Sequence, residues 1–177
     1  MKNNSNSIMF ENVKLQSKNF SGEIKPMNDR GNRTCLVVLN IDHARELGFN
    51  SVTEMVETLR ADDWNIKQFK PSEKEPNREP DAYMPVKAVY YRTRQSNIWM
   101  KKPNGKGVSL SEDNVGDLDK YYIDYANVII NKHYYDSHGR QGYNNEIKSM
   151  EVFIEEDEIM ARNRSYEEDL PEEIPFN

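Results

Sequence analysis

Residues 34–41 read Thr-Cys-Leu-Val-Val-Leu-Asn-Ile, a continuous apolar run rich in branched side chains. Such a run between turn signals is predicted to be a central buried strand. It follows Asn28-Asp29-Arg30-Gly31-Asn32, whose residues favour tight turns and left-handed backbone. Further upstream, Phe10, Val13 and Leu15 sit in a polar, β-tolerant stretch, and a strand is predicted over 8–20. Ser21-Gly22 is a second turn, leaving Glu23-Ile24-Lys25 as a short strand between the two.

Downstream of the run the period changes. Leu47, Val52, Met55, Val56 and Leu59 recur every three to four residues across 43–63. This spacing predicts one short and one longer helix, broken at Gly48. Ser51 is placed to cap the second helix, with Glu54 three residues on completing a capping box. Residues 64–69 alternate and read as a strand, and the charged, proline-rich 71–80 reads as a surface loop. A long strand is expected over 83–94, with Val86, Ala88 and Tyr90 on one face and Lys87, Val89 and Tyr91 on the other. A strand at 98–101 leads into a basic, glycine-containing hairpin loop at 102–107, and 111–118 reads as a short capped turn or helix. Strands are predicted over 121–135 and 147–155, separated by a turn at 136–142.

The pattern is mainly β: five to seven short strands with a single helical insertion. It fits an OB-fold, a five-stranded barrel, with extra strands added. A β-sandwich fits the same periodicity. The expected organisation is an OB-fold domain over 1–160 and a disordered acidic C-terminal tail over 161–177. From Glu167 onward the chain holds five acids and two prolines, with too little apolar surface to offset the entropy of ordering.

Charge is segregated along the chain. The formal net charge is −6, but the last 27 residues carry ten acids and two bases. The preceding 150 hold 20 acids and 22 bases, so the body is slightly basic. Exposed charges more than about 10 Å apart are largely screened in ordinary salt, so the tail need not cancel a basic groove. One cysteine, Cys35, excludes an internal disulfide framework and fits a reducing compartment. No run approaches the roughly 18 apolar residues that span a bilayer, and Met1 to Ser7 lacks an apolar signal region. The expectation is a soluble cytoplasmic protein with no membrane partner.

Catalysis finds little support. His43, His133, His138 and Cys35 show no metal-ligand spacing, and no nucleophile, phosphate-cradling or metalloprotease motif is present. No cofactor is expected. His133 and His138 read as solvated turn residues, Cys35 as a small buried hydrophobe, and the acids at 155–158 as a solvated run.

Aromatic residues interleaved with bases are the stronger signal. Single strands bind through bases stacked on rings, each worth about 1–3 kcal/mol, over a basic track for phosphates. The stacking candidates are Trp64, Trp99 and Tyr143. The phosphate candidates are Lys67, Arg92, Arg94, Lys101, Lys102, Lys106, Arg140 and Lys148. Barrel core is the competing reading for these rings, and it is favoured for Tyr90 and Phe153. In the tail, Asp169, Leu170, Ile174, Pro175 and Phe176 combine acids with an apolar anchor, a pattern suited to a basic-rimmed apolar pocket on a partner. The tail could equally fold back on the basic groove.

The ending Glu-Glu-Asp-Leu-Pro-Glu-Glu-Ile-Pro-Phe-Asn is similar to the acidic tips of bacterial single-stranded DNA-binding proteins. The body resembles the phage single-stranded DNA-binding family of OB folds. The matching stretches are Asn19-Phe20-Ser21-Gly22, Asp63-Trp64-Asn65-Ile66-Lys67, 83–91, and 131–150 with Gly139-Arg140-Gln141-Gly142. A further stretch is Val152-Phe153-Ile154-Glu155-Glu156. The resemblance implies sequence-independent binding of single-stranded DNA in phage replication or recombination, with replication or recombination proteins recruited by the tail. Two departures stand out: Asn177 follows Phe176, so the phenylalanine is not terminal, and the helical insertion is foreign to a minimal OB fold.

The competing reading is an acidic DNA mimic or interaction protein that binds a host protein. A small enzyme is a weaker third reading, and self-association is left open. If the basic body binds nucleic acid, affinity must fall steeply with salt as counterions are released. A titration of labelled oligo-dT at low and moderate salt checks this, and superimposable curves would contradict it.

Overall fold

A computed structural model of the chain describes residues 6–155. The proposed domain boundary at 160 and the tail residues Asp169, Leu170, Ile174, Pro175 and Phe176 lie outside the described residues. The elements, in chain order, are β1 (Ser7–Asn19), β2 (Arg33–Leu39), α1 (Ile41–Glu46), α2 (Val52–Ala61) and β3 (Lys67–Gln68). They continue with β4 (Ala82–Ala88), β5 (Asn97–Lys101), β6 (Gly107–Leu110), a 3-10 turn (Val115–Lys120), β7 (Ile123–Ser137) and β8 (Arg140–Ile154). No described helix is long and apolar enough to cross a membrane.

Five strands close into a ring. β1 runs antiparallel to β2 and to β7, β2 to β4, and β7 to β8. The seam is the parallel contact of β4 with β8, where Lys87 lies opposite Glu146. This is the OB barrel, with β3, β5 and β6 as added strands. The interior follows from strict alternation: Cys35, Val37 and Leu39 of β2 point inward, with Met84 and Val86 of β4, Val128 and Ile130 of β7, and Met150 and Val152 of β8. β1 serves two neighbours by bending. Its register breaks between Phe10 and Val13 and again between Gln16 and Asn19, with positive φ at Asn12 (53°) and Ser17 (52°). Such bulges turn a strand around a barrel corner.

Both barrel ends are plugged. α2 buries Val52, Met55, Val56 and Leu59 beyond the C-terminal end of β2. Ser51 Oγ accepts from the Glu54 N–H as the spacing predicted, while the Glu54 carboxylate reaches back one residue further, to the Asn50 N–H. At the other end the 3-10 turn buries Val115 and Leu118. Asp119 fixes it there by accepting from the N–H groups of Phe20 (2.8 Å) and Ser21 (2.9 Å).

The structure corrects several expected elements. Glu23-Ile24-Lys25 is not a strand; it belongs to a loop closed by a bridge between Lys25 and Asn28. Only Lys67–Gln68 of the 64–69 segment pairs as strand. The long strand expected over 83–94 ends at Ala88, where the chain leaves the sheet for eight residues. The turn at 136–142 is instead a continuation of two 15-residue strands around a two-residue bend, His138 (φ 52°) and Gly139 (φ 75°). Left-handed backbone at both positions is the type I′ geometry that matches strand twist. Phe153 lies outside the barrel, stacked on Tyr125 at 4.4 Å, rather than in the core.

Gly116 marks the tightest point of the lower plug: a Cβ there would stand 2.9 Å from the Ser21 Cα. Gly116→Ala is expected to cost about 1–3 kcal/mol through overpacking. Urea denaturation followed by circular dichroism would show a lower midpoint with unchanged slope.

Candidate nucleic-acid interface

β4 and β5 are two halves of one strand laid along β8. Lys87 of β4 faces Glu146, and Asn97 to Lys101 of β5 face Ser149 to Phe153, all in parallel register. Between them, residues 89–96 loop out as a small hairpin. The Ser96 N–H donates to the Val89 carbonyl (2.8 Å), the Ser96 hydroxyl accepts from the Val89 N–H, and it donates to the Ile147 carbonyl of β8. The inward residues of the split strand are Ala82, Met84, Val86, Ala88, Ile98 and Met100. Alternation therefore sends Tyr83, Pro85, Lys87, Asn97, Trp99 and Lys101 to the outer surface. Four positions of β4 and seven of β8 separate Tyr83 from Lys101, a track of about 36 Å at ~3.3 Å per residue.

Rings and bases alternate along this track. At one end Phe69 leans on Tyr83, ring centroids 4.6 Å apart, and Lys67 lies opposite Tyr83. Beside them, Leu36 and Val38 of β2 face outward next to Pro85 and Tyr83, with Lys14 of β1 across from Val38. At the middle, the Arg94 guanidinium sits 4.5 Å and the Lys87 ammonium 5.9 Å from the Tyr91 ring. At the far end Trp99 is 42% exposed, with the Lys101 ammonium 5.9 Å from its ring. Lys102 and Lys106 close the β5–β6 hairpin just beyond, and Arg92 is exposed at the tip of the 89–96 excursion. In barrels of this topology oligonucleotides bind on the outer face of the second and third strands and on the adjoining loops. β2, β4 and β5 form that face here.

The second adjoining loop is the arm formed by the ends of β7 and β8. Tyr134 and Tyr143 meet edge to face at 5.4 Å across it. Arg140 is exposed at its tip, and Lys148 is exposed where β8 carries an extra residue against β7. The arm is fixed at its root. Asn145 donates to the carbonyls of Asn65 (2.7 Å) and Pro85 (3.0 Å). Lys132, with 7% of its side chain exposed, donates to the Asp62 carbonyl. Its ammonium lies 5.2 Å from the Trp64 ring and 5.6 Å from the Tyr143 ring.

Two sequence candidates change role. Trp64 is 4% exposed, so it cannot stack on a base. The chain reverses after α2 at Asp63 (φ 66°), the Trp64 N–H donates to the Leu59 carbonyl, and the indole turns inward as the seat of Lys132. Arg94 is not a free phosphate ligand. Its Nε and Nη2 donate to the two carboxylate oxygens of Glu146 at 2.7 and 2.9 Å, and Glu146 is 4% exposed. This hydrogen bonding pushes the Arg94 pKa up. Arg94 therefore clamps the excursion to β8 and backs Tyr91. Lys67, Arg92, Trp99, Lys101, Lys102, Lys106, Arg140, Tyr143 and Lys148 are all solvent-accessible. The sequence reading missed Phe69, Tyr83, Lys87 and Tyr91. The alternation of Tyr83, Pro85 and Lys87 was the signal that could have found two of them. Cys35 is wholly buried, and burial pushes its thiol to about 12, which leaves it protonated and unreactive.

The model of the phage ssDNA-binding domain family matches residues 1–173 of the chain. The protein belongs to this family. Its members bind single-stranded DNA, an activity without chemistry, so the family places the protein among binders rather than enzymes. Among solved structures, the fold is similar to the single-stranded DNA-binding protein of bacteriophage Enc34 in complex with ssDNA. That likeness has a TM-score of 0.53 at 9% identity, covering 86% of this chain and 88% of that one. The C-terminally truncated form of the Enc34 protein gives 0.51 at 10% identity, covering 86% and 87%. At such identities the likeness concerns the fold alone. No curated protein matches the chain.

Arg94→Ala would leave the Glu146 carboxylate buried beside β4 without its partner. The expected loss is about 3 kcal/mol, the low end for a broken buried pair because 38% of the Arg94 side chain is exposed. Removing both groups (Arg94→Ala with Glu146→Ala) should recover part of it. Urea midpoints of the two variants measure the difference.

Proposed function

We propose that the protein coats single-stranded DNA without sequence preference during phage DNA replication and recombination, in the bacterial host cytoplasm. The observation that carries this reading is the outer track of β4 and β5, where exposed rings and lysines alternate along one face. A strand laid on it stacks bases on Tyr83, Tyr91 and Trp99. Lys67, Lys87, Lys101, Lys102 and Lys106 neutralise phosphates alongside. Arg92, Arg140, Tyr143 and Lys148 extend the contact from the excursion and the arm. Each stacked base contributes about 1–3 kcal/mol and is indifferent to base identity, because every base has a π-face. The similar Enc34 protein is a single-stranded DNA-binding protein solved in complex with ssDNA, which supports the same reading. Gathering of these cations on one face favours a binder over an acidic mimic of DNA.

In this reading the acidic tail recruits replication or recombination proteins through Asp169, Leu170, Ile174, Pro175 and Phe176. The segregation of negative charge into the last 27 residues supports it.

The two tryptophans separate track from core. Binding of oligo-dT is expected to quench intrinsic fluorescence through Trp99 alone. Trp64→Phe should retain the quench and Trp99→Phe should lose it; the reverse pattern would refute the track. Duplex DNA of equal length should bind at least tenfold more weakly. Deleting residues 167–177 should leave DNA affinity intact or raised, and a clear loss of affinity would contradict the tail's role.

A further inference from the structure

The track ends in a cleft. Beyond Tyr83 the β3–β4 pairing continues for two residues, through Ala82 opposite Gln68 to Asp81, whose carbonyl accepts from the Phe69 N–H at 2.9 Å. There residues of the 71–80 loop border an open groove of about 290 Å³ lined also by Gln16, Val38, Phe69, Lys70 and Asp81. That volume lies just under the roughly 300–1,000 Å³ of small-molecule sites. It suits one flat heterocycle.

The loop is held in place before anything binds. Glu79, which also lines the cleft, accepts from the Val52 N–H (2.6 Å) and the Thr53 hydroxyl (3.2 Å) at the start of α2. Gln68 donates to the Pro80 carbonyl at 3.0 Å, and Arg78 pairs with Glu75 at 3.1 Å. The three lining acids, Glu75, Glu79 and Asp81, share the groove with two lining bases, Lys70 and Arg78. Such a balance repels a phosphate and admits a neutral group. Glu79 is committed to α2 and Glu75 to Arg78. Among the described residues the Asp81 carboxylate has no hydrogen-bond or ion-pair partner, although it lines the cleft and is half-buried.

We propose that this cleft captures one nucleobase turned out of the bound strand, and that Asp81 selects a base carrying an exocyclic amino group. The inference rests on the single-strand reading above and adds a specific subsite to it. Phe69, already leaning on Tyr83, offers the ring against which the captured base lies. The sugar-phosphate stays outside, near Lys67 and Lys70. A carboxylate accepts from the amino group of cytosine, whereas thymine presents a carbonyl at the same position and is repelled. The two pyrimidines are alike in size, so the difference isolates the carboxylate.

The test uses the full chain and fluorescence anisotropy, with end-labelled oligo-dC and oligo-dT of equal length at neutral pH. Oligo-dC should bind about fivefold tighter, the low end for one base read by hydrogen bonding. Asp81→Asn removes the acceptor pairing with cytosine and the repulsion of thymine together, so oligo-dC should lose affinity and oligo-dT gain it until the two lie within twofold; retained oligo-dT binding also reports intact folding. Phe69→Ala should weaken both oligomers together. Equal affinities in the unaltered protein, or a preference that survives Asp81→Asn, would overturn the subsite while leaving the track standing. Failure of both oligomers to bind would overturn the single-strand reading and the subsite with it.

Discussion

The parallel contact between β4 and β8 is the constraint on which the rest of the molecule depends. Every other pairing in the ring joins antiparallel neighbours, and the barrel closes only where Lys87 meets Glu146. The closure is short, so it is reinforced from outside the ladder. Asn145 grips Pro85 on one side of it, and Arg94 grips Glu146 on the other. A carboxylate buried at 4% exposure is costly unless fully paired, and the bidentate guanidinium meets that condition. The same guanidinium lies under Tyr91, so the contact that shuts the barrel also sets a ring on its outer surface.

Interrupting a strand is the device that builds the track. A continuous β4–β5 would present one narrow row of side chains with no feature at its centre. The eight-residue excursion restores the row on the same partner strand and raises Tyr91 and Arg92 between its halves. β2 flanks the first half and β6 the second, so the face widens without opening the core. Exposed rings are tolerable in water when nearby cations cover them, and the lysines beside Tyr91 and Trp99 do so.

Much of this was legible in the sequence, for definite reasons. The branched run and the alternation at 83–88 marked strands, although a sandwich fitted the same period as a barrel and the run expected over 34–41 stops at Leu39, where Asn40 caps α1; the 3.6-residue period of 52–61 marked a helix. The arm was not legible, because residues 136–146 are polar and bury no stripe; their pairing rests on left-handed bends at His138 and Gly139. Trp64 was misplaced because it stands in a run where rings and bases are interleaved, while a single positive φ at Asp63 turns the indole inward. Phe153 was misplaced for the converse reason: alternation alone does not say which side of a strand is the outside when both carry apolar residues.

The arm has a mechanical consequence. Beyond Lys132 and Asn145 its two strands pair with no further strand among the described residues, and an isolated two-stranded ribbon is only marginally stable in water. It is a cantilever fixed at one end by Lys132 wedged between Trp64 and Tyr143. Bending of such a beam grows with distance from the fixture. Tyr143 near the root keeps its aim, while Arg140 at the tip sweeps a wide arc. Precision and reach are thereby divided between the two ends of a single ribbon.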